Sequence, residues 1–359
     1  MTCYHPITAY KCGSYSQGFT IIHNPVKGEK LGGTKFEHPC GQCIGCRLDK
    51  ALEWSVRSYH EASLYPNNCF ITLTFSEEYL KTRPNPWSIQ RGAGSEFTNF
   101  MKRLRKKYVP KNPHEKGTDE YEIFKQLHQI RFYMCGEYGE NCYTCFKNEK
   151  NCSCTKYVPT IGRPHYHALL FNHDFDDKTH WKTTNGIRLY TSDSLQNLWT
   201  CPKSKIPMGF TSIGDVTIDS AGYVARYTTK KITGRKADEL DENGFRHYER
   251  FDPRTGEIHL LEPEYNNMSR MPGIGKNWLE KYSKEVLVND SVISKSYPVP
   301  VPRYYDKLLE EIDPDWLEEN KTIRLDNAEK HADNNTTERL AVREMIQERK
   351  TTFLPRKEI

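Results

Sequence analysis

The chain has 359 residues, of which 36% are hydrophobic and 28% charged, and its mean hydropathy is −0.80. That length buries a substantial core in one elaborated domain or two. No run of about 18 apolar residues is present and the first residues are polar and Tyr-rich, so neither a membrane span nor a secretory leader is expected. The 52 basic and 47 acidic residues leave a net charge of only +5, too slight to announce nucleic acid, so the placement of charge carries more information than its total.

Residues 1–46 are rich in Gly, Pro, Cys and Lys without a sustained period. From Arg47 to Leu64 the spacing of Leu48, Leu52, Val56 and Tyr59 predicts an amphipathic helix. The run Phe70 to Phe75, leaving the turn residues Pro66, Asn67 and Asn68, reads as a strand. Phe97, Phe100, Met101, Leu104 and Tyr108 share one helical face, and Lys102, Arg103, Arg105, Lys106 and Lys107 lie mainly elsewhere, giving a basic amphipathic helix. Ile130 to Cys135, running on to Gly139, and Pro164 to Phe171 read as two strands separated by a Cys-rich insertion over residues 140–156. A short helix over Ser194 to Trp199 follows, then a strand over Gly209 to Ile218, then a helix capped by Asp219 and Ser220 that continues to Lys231. Past Thr233 the pattern is weaker, with a Pro-rich stretch over Tyr297 to Pro302 and a charged tail from Glu318, and no internal repeat is found. Strands joined by short connections predict an α+β fold, a central antiparallel sheet covered by helices. The expected organisation is a Cys-rich segment and helix over 1–64, a catalytic domain over 65–235, and a partly helical, charged extension over 236–359.

His165 and His167 carry the first chemistry. Two residues apart on a strand, they project from one face about 7 Å apart at Cα, while Tyr166 points the other way. An isolated pair of this kind is often no more than packed or surface histidine. A metal that polarises a phosphodiester, however, takes a mixed imidazole and carboxylate shell with open positions, and Glu137 ends the neighbouring predicted strand. Glu140 lies beyond the Gly139 turn and is the weaker candidate. Ala168, Leu169 and Leu170 follow the pair where a metallo-hydrolase would place further ligands.

Tyr223 and Tyr227, four apart on a predicted helix, address one side of it about 6 Å apart. Such pairs ordinarily pack a helix onto a sheet, and the chain holds 22 tyrosines. A phenol of ordinary pKa, about 10, needs a cation beside it to act as a nucleophile near neutral pH. Lys230 falls on the same helical face and supplies one, whereas Lys231 lies about 100° round.

Twelve cysteines without a secretory signal point to thiolate metal sites in a reducing cytoplasm. Cys40, Cys43 and Cys46 offer three ligands of a structural zinc site, which Cys3 or Cys12 would complete. Cys142, Cys145, Cys152 and Cys154 offer four more. Cys69, Cys135 and Cys201 read as small buried hydrophobes. The basic helix is expected to track a DNA backbone through Lys102, Arg103, Arg105, Lys106 and Lys107, against the plainer reading of a solvated face.

Pro164-His-Tyr-His167 with its apolar continuation, the upstream strand Phe70-Ile-Thr-Leu-Thr-Phe75 and the downstream Tyr-x-x-x-Tyr helix with trailing lysines together resemble the ordered motifs of HUH endonucleases of the two-tyrosine, rolling-circle class. Pro39 to Lys50, Phe100 to Arg105, Cys135 to Gly139 and Tyr223 to Tyr227 are similar to the replication initiators of gokushoviruses, the small microviruses of bacteria. The resemblance spans roughly Cys3 to Lys231 and leaves out the C-terminal third. It implies a ferredoxin-like nuclease domain in which His165, His167 and Glu137 bind Mg²⁺ or Mn²⁺. It also implies that the two tyrosines act in turn, through a 5′-phosphotyrosine, on a single-stranded DNA origin in the host cytoplasm. Host polymerase and helicase are then partners and no membrane is involved. The same resemblance favours Cys3 over Cys12 as the fourth thiolate. Two other functions stay open at this level: a zinc-containing nucleic-acid-binding protein without catalysis, and a metal-dependent hydrolase that uses water.

Overall fold

The computed structural model describes residues 3–14, 18–139, 162–184, 186–226, 231–232, 235–241, 244–252 and 255–353. The chain divides into two compact units, Met1–Leu52 with Ile312–Arg356, and Glu53–Glu311. In the first, strands β1 (Ile7–Ser14), β2 (Gly18–Ile22) and β3 (Thr34–His38) form an antiparallel sheet with β1 in the middle, and helix α1 (Pro25–Lys30) lies between β2 and β3 in sequence. No sequence period announces this sheet because β2 and β3 are largely exposed on both faces, so no apolar alternation is needed. Helices over Pro314–Glu329 and Thr337–Phe353 complete the unit.

Helix α2 (Ile44–Ala62) begins three residues before its expected start. Its predicted apolar face is only partly right: Val56 is buried, but Leu52 and Tyr59 are exposed. The helix buries polar groups instead. Glu61 accepts from Arg131 Nε at 2.5 Å and from the Gly275 amide at 2.7 Å, which offsets the cost of burying the carboxylate.

The second unit is built on a seven-stranded sheet. Its elements in chain order are β4 (Asn68–Leu73), α3 (Glu77–Leu80), α4 (Glu96–Tyr108), α5 (Asp119–His128), β5 (Arg131–Tyr138), β6 (Pro164–Phe171), β7 (Thr179–Thr184), β8 (Ile187–Thr191), α6 (Asp193–Leu198), β9 (Thr211–Gly214) and α7 (Ile218–Arg226). A small hairpin of β10 (Glu249–Phe251) and β11 (Ile258–Leu260) precedes β12 (Tyr265–Met268). The sheet order is β12-β5-β6-β4-β9-β8-β7, and every pair is antiparallel. The fold is therefore α+β, with the four strands expected from sequence in the middle of the sheet. The unexpected strands are its two margins: the β7–β8 hairpin on one side and β12, from beyond residue 235, on the other.

Period-two alternation gives the sheet two different faces. One buries Cys69, Ile71 and Leu73 of β4, Phe132 and Met134 of β5 and Tyr166, Ala168 and Leu170 of β6 against Phe97, Phe100, Met101 and Leu104 of α4 and Leu195 and Leu198 of α6. Each of these large side chains contributes about 1.5–3 kcal/mol by leaving water. The other face presents Phe70, Thr72, Glu137, His165 and His167. Part of it is covered by α2, whose Trp54 stacks on Tyr133 at 4.9 Å, and part by α7. Helix α7 starts one turn earlier than expected. Thr217 is its cap, with Ser220 N donating to Thr217 Oγ1 and Thr217 N donating to Ser220 Oγ, so Asp219 and Ser220 sit inside the first turn. No helix among the described residues is long and apolar enough to cross a membrane.

Candidate active site

The β5–β6 register pairs Glu137 with His165 and Cys135 with His167, so the carboxylate stands opposite one imidazole and diagonal to the other on the same face. Glu137 Oε1 lies 2.6 Å from His165 Nε2 and 3.0 Å from His167 Nε2. Glu137 is 1% exposed and His167 3%, while His165 is partly open to solvent. Burial pushes the Glu137 carboxyl up, but the charge and hydrogen bonds of His165, followed by those of His167, outweigh it and hold the group down at about 2.

The far side of each ring is fixed as well. His165 Nδ1 is 3.1 Å from the Arg163 carbonyl, which can only accept, so Nδ1 carries the hydrogen. His167 Nδ1 lies 2.9 Å from Thr72 Oγ1, and the ring stacks on Phe70 at 5.5 Å. Both Nε2 atoms are thus turned toward Glu137. Their donor atoms and a Glu137 oxygen all lie within 4.8 Å of one another. Two imidazole nitrogens and a carboxylate, each histidine oriented by an outer hydrogen bond, fit a divalent cation with coordination positions left for water or a phosphate oxygen.

Helix α7 delivers Tyr223 to this face. Its ring meets His167 edge-on at 5.1 Å and Phe70 edge-on at 6.1 Å. Two tethers hold the helix: Ser55 Oγ donates to the Ile218 carbonyl at 3.0 Å, and Asn266 Nδ2 donates to the Val224 carbonyl at 3.3 Å. Tyr227 and Lys230, expected on the same helix, lie outside the described residues, whose helical portion ends at Arg226; Lys231 is not helical. Glu140 and the group Cys142, Cys145, Cys152 and Cys154 also lie outside them.

A second cluster lies in the first unit. The thiols of Cys3, Cys40, Cys43 and Cys46 are all within 4.8 Å of one another, with Cys40 and Cys46 sulfurs 3.9 Å apart and Cys3 and Cys43 sulfurs 4.0 Å apart. A tetrahedral zinc site with Zn–S bonds of about 2.3 Å sets its sulfurs about 3.8 Å apart, so the spacing fits that metal. Backbone amides point at the sulfurs: Cys40 N at Cys3 Sγ, Gln42 N and Cys43 N at Cys40 Sγ, and Tyr4 N at Cys43 Sγ. Burial raises the Cys40 thiol, but the amides of Cys43 and Gln42 more than offset it, leaving it at about 7. Cys12 is elsewhere, buried with its sulfur 3.8 Å from the Gly28 carbonyl. Cys69 and Cys135 are fully buried as expected, whereas Cys201 is only half-buried.

The basic helix needs correction. Helix α4 covers the face of the sheet opposite Glu137, His165 and His167, because its apolar stripe matches the Tyr166, Ala168 and Leu170 side of β6. Two of its cations are occupied structurally: Arg103 donates to the Leu198 carbonyl at 3.1 and 2.7 Å, and Arg105 to the Ile130 carbonyl at 3.1 and 3.0 Å. Lys102, Lys106 and Lys107 remain exposed. Thr72 and the Arg163 carbonyl, which orient the two histidines, had no individual sequence signal. Thr72 falls beside His167 only through the β4–β6 register.

Comparison with known proteins follows from this geometry. A family model of replication-associated proteins of the ORF2 type matches residues 150–232, the stretch that contains His165, His167 and Tyr223. The chain is 30% identical over 332 residues to the replication-associated protein VP4 of Bdellovibrio phage phiMH2K, covering 92% of this chain and 84% of that protein. It is 29% identical over 327 residues to the replication-associated protein ORF2 of Spiroplasma virus 4, covering 83% of this chain and 80% of that one. No solved structure matches.

Proposed function

Since the chain belongs to the family of phage replication-associated proteins, we propose that it nicks and rejoins single-stranded DNA at a phage origin, as an HUH endonuclease of the two-tyrosine class. The observation that carries this reading is the placement of a phenol, Tyr223, 5.1 Å from the ring of His167 on the face that gathers His165 and Glu137. Glu137, His165 and His167 would hold Mg²⁺ or Mn²⁺, which supplies Lewis-acid polarisation of the phosphodiester when bound.

Tyr223 Oη attacks the scissile phosphorus, gives up its proton and forms a 5′-phosphotyrosine. The departing 3′ oxygen takes up a proton and becomes a free hydroxyl. That hydroxyl primes host polymerase while host helicase opens the duplex. Tyr227, one helical turn on, cuts the regenerated origin, and the new 3′-hydroxyl attacks the first phosphotyrosine to close the circle. Lys230 stabilises the phenolate or the phosphate. Because the phosphotyrosine conserves the phosphodiester bond energy, rejoining needs no nucleotide cofactor. Cys3, Cys40, Cys43 and Cys46 bind structural zinc, as do Cys142, Cys145, Cys152 and Cys154. Lys102, Lys106 and Lys107 serve DNA away from the scissile phosphate by contacting its backbone.

Incubation of the protein with labelled single-stranded circular phage DNA and Mn²⁺ tests this reading. The expected result is a denaturation-resistant protein–DNA adduct that disappears with EDTA and in His165→Ala. Undiminished nicking by His165→Ala in EDTA overturns it.

A further inference from the structure

Trp181 and Phe210 form an exposed aromatic pair, 45% and 44% accessible, with ring centroids 4.6 Å apart. They lie on the face that carries the metal-ligand candidates. Thr72, whose hydroxyl meets His167, pairs with Ser212, and two residues further Thr74 pairs with Phe210 through its amide. Thr72, Thr74, Ser212 and Phe210 therefore share one side of the sheet, and Trp181 reaches the same side by contacting Phe210. Phe210 is about two strand spacings, roughly 10 Å, and two residues, roughly 7 Å, from His167.

Scattered exposed aromatics are normal on any protein, but this pair is built. The β7–β8 register shifts between His180 and Lys182, so Trp181 is the extra residue of a bulge, a device that re-aims a side chain. Phe210 N donates to Thr74 Oγ1 at 3.0 Å, and Thr74 Oγ1 donates to the Phe210 carbonyl at 2.8 Å. The preceding Gly209 lies so close to β4 that a Cβ there would fall 2.1 Å from the Thr74 carbonyl oxygen. Lys182 Nζ sits 4.3 Å from the Trp181 ring centroid, at the rim of the pair. Rigid, solvent-facing rings beside a cation match the chemistry of single-stranded nucleic acid, in which bases stack and phosphates seek positive charge.

We propose that Trp181 and Phe210 are a stacking platform for DNA bases flanking the scissile phosphate, with Lys182 meeting the backbone. The choice of DNA as occupant rests on the nicking function proposed above.

The test is fluorescence anisotropy of the full chain, in EDTA so that no cleavage occurs, with labelled oligo(dT) longer than the roughly 16 nucleotides one such site spans. Trp181→Ala and Phe210→Ala should each weaken binding at least about fivefold without moving the thermal midpoint, and Trp181→Tyr should restore most of the loss. An abasic strand of equal length should bind wild type and variants alike. Equal oligo(dT) affinity for wild type and the double Ala variant overturns the proposal, as does wild-type protein that binds no oligo(dT). Loss of self-association in Trp181→Ala with DNA affinity unchanged also overturns it and assigns the patch to a second copy. Adding Mn²⁺ with an origin strand scores nicking separately: binding through the platform without cleavage tells against the nicking function alone, and cleavage with equal binding tells against the platform alone.

Discussion

Thr72 Oγ1 and His167 Nδ1 lie 2.9 Å apart at a register position where β4 and β6 pair these two residues directly. The hydroxyl orients the imidazole from behind and leaves Nε2 facing Glu137. Thr72→Val keeps the shape and the β-branching but removes that bond. It should weaken Mn²⁺ binding about 10- to 100-fold, with cleavage recovered at high Mn²⁺. Calorimetric Mn²⁺ titration checks this, and unchanged affinity would show that the hydrogen bond does not position the ligand.

The thiol cluster predicts which cysteine completes the first zinc site. Cys3→Ser should lower the zinc content by one equivalent and reduce the thermal midpoint, because metal binding and folding are coupled. Cys12→Ser should leave zinc content unchanged, since its sulfur packs against Gly28 and not in the cluster. Elemental analysis of the two variants separates these outcomes.

A pH dependence follows from His60. It is 4% exposed, with its ring 3.5 Å from that of Trp278, and burial depresses its pKa from 6.5 to about 4. The unfolded chain therefore takes up a proton below pH 6.5 that the folded chain refuses, and stability falls as pH drops from 6.5 toward about 4. Between pH 6.5 and about pH 5 the loss from this residue is about 2 kcal/mol. His60→Phe keeps a ring against Trp278 and removes the titration. Urea unfolding should show a shallower decline over that window in the variant, and an unchanged slope would assign the decline to other groups.

Part of this architecture was legible in the sequence because it depends on local periodicity. His165 and His167 on one side of a strand with Tyr166 on the other follow from period two, and the apolar stripe of α4 follows from period 3.6. The side of the sheet that α4 covers does not follow from the helix alone. The fully buried Tyr166 fixes it, and that places the basic residues away from the histidines. The β7–β8 hairpin had a signal that was missed: Asn185-Gly186 between two β-branched and aromatic runs is a strong two-residue turn, and Gly186 has φ of 80°. Trp181 went unnoticed with it. Thr72 was beyond reach, since its role exists only through register with β6. So was the polar buried face of α2, where Glu61 is stabilised by Arg131, a residue 70 positions away.

The central claim is that Tyr223 and Tyr227 are the nucleophiles, and substitution by Phe tests it most directly because packing is kept and only the attacking oxygen is lost. Each single variant, incubated with an origin oligonucleotide and Mn²⁺, should still form some covalent adduct but release no closed circles. The double variant should form no adduct while keeping its thermal midpoint. Adduct formation by a well-folded double Phe variant, or peptide mapping of the DNA link to a different residue, would contradict the account.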